Sequence, residues 1–294
     1  MRIESWGVVL VLVLAGCQTP PPPPAPVKRN IDLLGDLAKR PQGSSQSTPD
    51  TGPGGEAATL FINSIGVRMV PIEPGVFQMG SKPGEAGRQE DEVRHEVRIT
   101  RRYYISATEI TQSQWEKLMG STPWKRQKQT VEGRDQPASH VSYSEAMTFC
   151  RLLSTRETGE YRLPTEAEWE HACRAGSDSS FGFANGASGN RLADYAWTAD
   201  NVSDDHAQLV AKKSPNAWGL FDMHGNVAEW CLDYYGNYPR GGATDPVGPA
   251  TGQFRVVRGG GFDSMANFCR AAYRTGMDAE TRGANLGFRI VLVK

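Results

Sequence analysis

Two carboxylates in the last third of the sequence flank residues that could complete a metal site. Asp222 and Glu229 lie on either side of Gly225 and Val227. The backbone carbonyls of such a segment can turn towards the same point as the two side chains. Carboxylate and carbonyl oxygens are the hard ligands that Ca²⁺ takes in proteins. The segment is therefore predicted to bind calcium.

The cysteines give a second chemical expectation. One of the five, Cys17, follows an apolar leader, and the other four are Cys150, Cys173, Cys231 and Cys269. An even number of cysteines in an exported protein predicts structural disulfides. Four cysteines allow three pairings, and the sequence leaves all three open.

The amino-terminal residues predict export and a lipid anchor. Arg2 precedes an apolar run that ends in small residues, which is typical of a secretory signal. The run Leu14-Ala15-Gly16-Cys17 resembles the lipobox of bacterial lipoproteins. That resemblance implies a signal peptide over residues 1–16, cleavage before Cys17 and lipidation of the Cys17 thiol, so that the chain is anchored and does not span the membrane. The alternative is a plain secretory signal with an incidental cysteine.

Residues 17–57 have a composition that cannot bury a core. Pro20 to Pro24 is an unbroken proline run, and Gly, Ser, Thr and Pro dominate the stretch from Gly43 to Gly55. Such a segment is predicted to be a disordered linker after the lipidated cysteine, with an extended, semi-rigid proline part and a flexible Gly/Ser part. Residues 58–294 are long enough for one domain with a sizeable core.

Charge and composition narrow the classes of partner. The 294 residues carry 32 basic and 33 acidic side chains, spread without long runs of one sign, for a net charge of −1. A nucleic-acid-binding domain usually shows a basic patch or stripe. We therefore expect no nucleic-acid partner, and membrane contact only through the lipid anchor. The folded domain is expected to face the periplasm or the exterior, and Gln18 after the lipidated cysteine favours the outer membrane.

Capping boxes predict three helices in the first half of the domain. Each has a hydroxyl residue followed three positions later by Glu or Gln: Thr111 and Gln114, Ser142 and Glu145, Thr165 and Glu168. Gly120 and Gly176 are predicted to end the first and third helices. Trp169, Ala172 and Cys173 share one face of the third helix, so that face is predicted to be buried.

Short strands are predicted where β-branched and aromatic residues cluster: 68–71, 76–79, 93–100, 103–105, 256–258 and 287–293. Irregular stretches dominate after Gly176. The fold class is therefore α+β with few regular elements. The five histidines show no spacing that is typical of zinc ligands, and each is predicted to lie at the surface or to cap a helix.

Several segments occur in a fixed order over residues 60–294. They include 69–81, 109–115 and 141–146, then Tyr161-Arg162-Leu163-Pro164-Thr165-Glu166, Gly225-Asn226-Val227-Ala228-Glu229-Trp230, Val257-Arg258-Gly259-Gly260 and Gly287-Phe288-Arg289. Together they resemble the sulfatase-modifying-factor domain, the fold of the formylglycine-generating enzymes. The resemblance implies a variant of the C-type lectin fold, with little regular secondary structure and with bound calcium.

This resemblance refines the calcium expectation. The resemblance implies that four residues match one calcium site of the family ligand by ligand: Asp222, Gly225, Val227 and Glu229. Two of these four ligands would bind through backbone oxygens. The pair Asn201 and Val202 resembles the start of the family's second calcium site. The Asp-Gly-Phe segment that completes the second site in the family has no counterpart in this sequence.

The family's copper site is incomplete in this sequence. The enzymes oxidise a cysteine of a sulfatase peptide, using oxygen and a Cu⁺ ion held by two cysteines that follow an Arg/Lys-Gly-Gly-Ser turn. Two thiolates suit Cu⁺ because it is a soft ion. The corresponding turn here is Arg258-Gly259-Gly260-Gly261, and an alignment from this turn places Ser264 and Cys269 at the positions of the pair. An alignment from Gly287-Phe288-Arg289 matches neither cysteine.

The leading hypothesis is a membrane-anchored, calcium-stabilised binding or regulatory module of the cell envelope. Its ligand would be an envelope protein or peptide, bound near Arg258, Ser264 and Arg274. A variant of this hypothesis is a receptor with a diversified loop, which a comparison of residues 261–285 between strains would test.

The alternative is an oxidoreductase that acts on a cysteine in a protein or small molecule. Cys269 would be its catalytic residue, with Met265 as a second soft ligand for Cu⁺. In some members of the family, cysteines near the positions of Cys173 and Cys269 bond to each other.

Overall fold

Three small sheets and four α-helices form the part of the chain that the computed structural model describes, residues 59–183 and 191–294. The leader, Cys17 and the linker up to residue 57 lie outside the described residues. Export, lipidation and anchoring therefore stay predictions. Within the described ranges, no helix has the length and apolar character that crossing a membrane requires.

A five-stranded sheet joins the first and last strands of the domain. Its strands, in spatial order, are β1 (Phe61–Ile62), β2 (Arg68–Ile72), β5 (Tyr103–Ser106), β12 (Val291–Val293) and β6 (Glu160–Arg162). Ile105 of β5 lies opposite both Val70 and Val291. Every residue of β5 is buried, because the strand has neighbours on both edges and packed layers on both faces.

Two smaller sheets complete the β structure. A three-stranded sheet contains β3 (Gly75–Met79), β4 (His95–Ile99) and β8 (Ala243–Thr244). A four-stranded sheet has the order β10 (Arg274–Met277), β9 (Arg255–Arg258), β7 (Ala228–Tyr234) and β11 (Leu286–Gly287). Burial alternates strictly along β4, so that its first, third and fifth residues face the core.

All three predicted capping boxes are confirmed. They begin α1 (Gln112–Met119), α2 (Tyr143–Arg156) and α3 (Glu166–Arg174), and a fourth, single-turn helix is α4 (Leu192–Tyr195). Gly120 ends α1 as predicted, in the left-handed conformation. The end of α3 comes earlier than predicted, because Ala175 already adopts a left-handed φ of 47° before Gly176.

Helix α3 is buried along its whole length. It packs against β3, β7 and β9, and the predicted buried face with Trp169, Ala172 and Cys173 is confirmed. Because a helix surrounded on all sides has no face for solvent, its charged residues also enter the interior. Glu166, Glu170 and Arg174 are each at most 3% exposed.

The strand predictions are confirmed for β2, β3, β4, β5 and β9, one predicted run needs a correction, and β1, β6, β7, β8 and β10 were not predicted. The run 287–293 forms two short strands, β11 and β12, which pair with different sheets. Strand β7 was missed, because its first residues were assigned to a metal-binding segment. Strand β7 is one of the two inner strands of the four-stranded sheet, with β9 on one edge and a short parallel pairing with β11 on the other.

Candidate functional site

Arg258 lies in the interior and not at a ligand-binding surface. It is the last residue of β9 and is 1% exposed. Its guanidinium forms an ion pair with Glu170 of α3 and donates to the backbone carbonyls of Ala271, Ala272 and Tyr273. The predicted role in surface binding is corrected on this ground. Arg258 ties α3 to the segment that follows Cys269.

Arg274 is also buried, but it lines a cavity. Its guanidinium makes a two-pronged pair with Glu166, with distances of 2.7 Å from Nε to Oε1 and 2.7 Å from Nη2 to Oε2. Nη1 donates to the carbonyl of Gly236, and the guanidinium lies 4.1 Å from the centroid of the Tyr238 ring. A ligand in the cavity can approach Arg274, but the guanidinium is already neutralised by Glu166.

Ser264 closes a turn with its hydroxyl oxygen. Its Oγ accepts a hydrogen bond from the amide of Gly261 at 3.0 Å, and its carbonyl accepts one from the amide of Ala199 at 3.0 Å. The structure therefore separates the three residues predicted to form one binding surface. Arg258 is enclosed, Arg274 lines a cavity and Ser264 stabilises a loop.

Cys269 is fully buried beneath the glycine turn. Gly260 adopts a φ of +73°, and a Cβ at this position would lie 2.7 Å from Cys269 Sγ, so only glycine fits here. Burial raises the pKa of the Cys269 thiol to about 12, with smaller contributions from Asp200 and Asp263. A thiol of this kind is a poor nucleophile and a poor source of thiolate.

The residues around Cys269 do not fit a copper site. Met265, the predicted second ligand, is 56% exposed, whereas Cys269 has no exposed surface. A short 3₁₀-helix, Ala266–Phe268, separates the two residues. Among residues 59–183 and 191–294, no three His, Cys, Asp or Glu side chains form a group that could hold a metal ion.

The predicted disulfides are not formed in this structure. Cys150, Cys173, Cys231 and Cys269 are all buried free thiols. Cys150 lies in one hydrophobic cluster, and Cys173 and Cys231 lie in another, so these thiols pack as small apolar side chains. Burial raises the pKa of each of them.

Glu229 does not present a free oxygen to a calcium ion. Arg289 binds both of its carboxylate oxygens, from Nε to Oε2 at 2.6 Å and from Nη2 to Oε1 at 2.7 Å. The indole of Trp169 donates to Oε2 at 2.7 Å. The prediction of Glu229 as a calcium ligand is corrected on this geometry, because an arginine already supplies the positive charge.

Asp222 fits a cation site better, and its partner is Glu109, which the sequence analysis missed. Asp222 Oδ1 and Glu109 Oε2 are both buried without a hydrogen-bond partner. Burial raises the pKa of both carboxyls. The Glu229 carboxylate raises both pKa values further, and Asp222 also raises the pKa of Glu109. Two facing carboxyls either share a proton or hold a cation. The donor set at this point is therefore compatible with Ca²⁺.

Asn201 and Val202, the start of the predicted second calcium site, form a local turn. The side chain of Asn201 accepts from the amide of Thr198 at 2.9 Å and donates to the carbonyl of Ala196 at 2.8 Å. The amide of Val202 donates to the carbonyl of Thr198. The side chain of Asn201 is therefore bound within the turn.

A cavity of about 310 Å³ lies at the end of β7 and is called the β7 cavity below. It is lined by Met79, His95, Glu166, Ala167, Asp233, Tyr234, Gly236, Asn237, Tyr238, Pro239, Pro246, Val247, Gly248, Pro249 and Arg274. These residues come from the ends of β3 and β7, the starts of β4, α3 and β10, and the loops before and after β8. The cavity thus combines an apolar wall with a few buried polar groups, as small-ligand sites commonly do.

The histidine predictions fail for three of the five residues. These three are buried: His95 is 7% exposed, His171 5% and His224 2%. Both ring nitrogens of His224 have hydrogen-bond partners, with Nδ1 2.8 Å from the Cys269 carbonyl oxygen and Nε2 accepting from the Gly182 amide at 2.9 Å. The strict alternation along β4 is the signal by which the inward position of His95 could have been found.

The fold and the segment order together define the class of protein. Residues 63–294 match the family described as the sulfatase-modifying factor enzyme 1-like domain, and the chain belongs to this family. The predicted family and the α+β fold, a formylglycine-generating-enzyme-like variant of the C-type lectin fold, are thereby confirmed.

Several curated relatives align with this domain. The formylglycine-generating enzyme of Streptomyces coelicolor is 35% identical over 174 residues, which are 54% of each chain, so the match spans about half of that enzyme's length. The formylglycine-generating enzyme of Bos taurus is 27% identical over 83% of this chain and 78% of its own. Chaperone protein LppX of Paenibacillus barcinonensis is 26% identical over 65% of this chain and 80% of its own.

Solved structures show the same fold. Treponema denticola variable protein 1 superimposes with a TM-score of 0.70 and 28% identity, covering 80% of this chain and 98% of that chain. PvdO from Pseudomonas aeruginosa superimposes with a TM-score of 0.71 and 27% identity, covering 81% of this chain and 99% of that chain.

Proposed function

We propose that this protein is a binding or regulatory module of the cell envelope and not a copper-dependent oxidase. The observation that carries the proposal is the state of Cys269. It is the only cysteine in residues 258–274, it is fully buried, and its pKa is raised to about 12. The family fold is retained, whereas the pair of soft ligands that would hold Cu⁺ is missing.

Two relatives support a role in binding. One carries the name of a chaperone protein, and one solved structure carries the name of a variable protein. Both names fit a fold that presents a binding surface without performing a reaction, since one fold can host many functions. The expected partner of this chain is an envelope protein or peptide.

A copper and oxygen assay tests the proposal. The purified protein and its Cys269→Ser variant are incubated with Cu⁺ and desalted, and oxygen uptake is measured with a cysteine-containing peptide. The formylglycine-generating enzyme of Streptomyces coelicolor is the positive control. We expect neither protein to retain one copper per chain and both to show the same background uptake. Stoichiometric copper and uptake that Cys269→Ser abolishes would establish the oxidoreductase alternative.

Calcium is part of the same proposal, with a revised set of ligands. Asp222 and Glu109 supply the side-chain oxygens, and Gly225 and Val227 supply carbonyls. A ligand that binds only the native state raises the melting temperature. We expect Ca²⁺ to raise the melting temperature of the wild type relative to the protein in chelator.

Asp222→Asn is the matched variant for the calcium test. Asn tolerates the left-handed φ of 58° at this position, and its amide can donate to Glu109 Oε2, so the variant is expected to fold. We expect the calcium-dependent rise to disappear in Asp222→Asn. A rise of the same size in both proteins, or in neither, contradicts this site.

The lipid anchor is proposed from the leader and Cys17 alone. Cells that express the full chain are labelled with a radioactive fatty acid, beside cells that express Cys17→Ser. We expect label in the wild-type protein and none in the variant, with the wild type in the membrane fraction. If the wild-type protein is exported but not labelled, the leader is a plain secretory signal and Cys17 is not lipidated.

A further inference from the structure

The β7 cavity contains a buried histidine that lacks one of its two expected hydrogen bonds. His95 is 7% exposed and lines the cavity. Its Nδ1 lies 2.9 Å from the carbonyl oxygen of Val93, and only a protonated nitrogen can donate to that oxygen. In the neutral ring, Nε2 is therefore an acceptor. This Nε2 is enclosed and has no hydrogen-bond partner.

Asp233 is a second acceptor in the same cavity. It is 4% exposed, and its Oδ2 accepts a hydrogen bond from the amide of Glu166 at 2.8 Å. No salt bridge to Asp233 is present within residues 59–183 and 191–294, although Glu166 pairs with Arg274 at 2.7 Å and with Arg258 at 3.7 Å. Burial, followed by the nearby Glu166 carboxylate, raises the pKa of Asp233 to about 8. A cation at this carboxylate would replace the proton that burial favours.

The other charged groups of the cavity are already paired. Glu166 binds Arg274 through both oxygens, and it also accepts from the hydroxyl of Tyr238 at 3.1 Å. An anionic ligand would find no free arginine and would face the carboxyl of Asp233. Among the buried polar side chains of the wall, the free hydrogen-bonding capacity is thus an acceptor capacity, which a donor with positive charge satisfies best.

The rest of the wall is apolar and reaches the surface. Val247 is 61% exposed at the rim, and the apolar side chains of the wall are Met79, Ala167, Pro239, Pro246 and Pro249. A cavity of about 310 Å³ is large enough for a short aliphatic stem but not for a folded element. Long basic side chains combine such a stem with a charged end.

We propose that the β7 cavity binds a primary ammonium or guanidinium group carried on an aliphatic stem. Asp233 and Nε2 of His95 accept hydrogen bonds from the cationic end, and the proline-rich wall covers the stem. The inference deepens the proposed binding role, on which it rests, because it names the chemical class of ligand. A lysine or arginine side chain of a partner peptide and a free alkylamine share this chemistry.

Thermal melting and calorimetric titration with n-pentylamine test this inference on the mature protein. n-Pentanol is the neutral analogue with the same stem. Asp233→Asn removes the charge at the cavity, His95→Phe removes the acceptor while keeping an aromatic ring, and Asp205→Asn removes an exposed carboxylate that is not among the lining residues. A charge-assisted hydrogen bond predicts a loss of roughly tenfold in affinity for each cavity variant.

We expect n-pentylamine to raise the melting temperature of the wild type and of Asp205→Asn, with a much smaller effect of n-pentanol. Equal effects of amine and alcohol, or full affinity in a folded Asp233→Asn, would overturn the inference. Melting curves without ligand show whether each variant is folded.

Two further ligands distinguish the sources of the basic group. Agmatine represents free amines, and the peptide acetyl-Gly-Lys-Gly-amide represents a side chain of a partner. Binding of both assigns the cavity to basic side chains, and binding of agmatine alone assigns it to small amines. Because the readout is amine affinity and not copper or oxygen, this test can fail while the proposed function stands.

Discussion

The interior beside α3 and the β7 cavity both bury charged groups, but they satisfy them differently. In the interior, Glu170 binds Arg258 and Arg174, and it also accepts from the amide of Gly80 at 2.9 Å. Burial alone would raise the pKa of Glu170, but the two arginines hold it below its ordinary value. In the cavity, Asp233 has no such arginine, and its pKa is raised.

This difference distinguishes charged groups that stabilise the fold from polar groups that are available to bind a ligand. Buried polar groups in native proteins are nearly always paired, so a complete network indicates a role in holding the fold together. An unpaired buried acceptor that lines a cavity indicates a site for a donor from outside. Arg258, predicted as a ligand-binding residue, is a structural charge: its Nη1 and Nη2 are hydrogen-bonded, and its Nε lies 3.7 Å from Glu166 Oε1 without a hydrogen bond. His95, predicted as a surface or capping residue, belongs to the second kind, because its Nε2 has no partner and it lines the cavity.

The largest effect is expected from Arg258→Ala. The variant leaves Glu170 with one of its two arginines and leaves the carbonyls of Ala271 and Ala272 without their donor. Loss of one partner from a buried ion pair costs about 3–5 kcal/mol. Urea denaturation of wild type and variant measures this loss.

Arg102→Ala is the control for that experiment. Its pair with Glu73 is 40% and 59% exposed, and exposed pairs contribute about 0.2–1 kcal/mol. If the two variants lose the same stability, the distinction between interior and surface pairs is wrong for this protein.

Asp233→Asn is expected to change how stability depends on pH. The pKa of Asp233 is about 8 in the folded protein and near 4 in the unfolded chain. The stability that Asp233 contributes is therefore fully present below about pH 4 and is lost as the pH rises through 8. The variant has no such loss, so its advantage over the wild type should grow from pH 5 to pH 9 in urea denaturation. An advantage that does not change with pH would contradict an unpaired carboxyl.

His224→Gln is expected to affect the acidic range. Burial lowers the pKa of His224 to about 4, below the value of about 6.5 in an unfolded chain. The unfolded state thus binds the proton first, and stability falls as the pH drops from about 6.5 towards 4. The variant should lose less stability than the wild type between pH 7 and pH 4.5. His171, whose pKa is also lowered to about 4 by burial, keeps part of the acid sensitivity in both proteins.

Thr165→Ala is expected to give the smallest effect and to act on both regions together. Thr165 caps α3, which carries Glu166 to the cavity and Glu170 to the interior. Loss of a helix cap costs about 1 kcal/mol. The amine affinity of the β7 cavity should stay within a factor of about two if the loss is confined to stability. A large loss of affinity would show that the cap also positions the cavity wall.

Local sequence signals predicted three of the four described helices and seven of the twelve described strands. A capping box acts within four residues, as at Thr111, Ser142 and Thr165, so its outcome does not depend on the rest of the chain. The alternation along β4 is equally local. Strand β7 was missed because Asp222 to Glu229 also matches a metal-binding segment, and local residues cannot decide between these two structures.

The sequence by itself determined the family, the α+β class and the absence of a second cysteine beside Cys269, because these depend on residue identity and order. Only the tertiary structure decided which charges are paired. Arg289 reaches Glu229, and Arg258 reaches Glu170, across separations of 60 and 88 residues. Such pairs form only when distant elements meet. Among the described residues, the same packing leaves His95 Nε2 without a hydrogen-bond partner and Asp233 without an ion-pair partner in the β7 cavity.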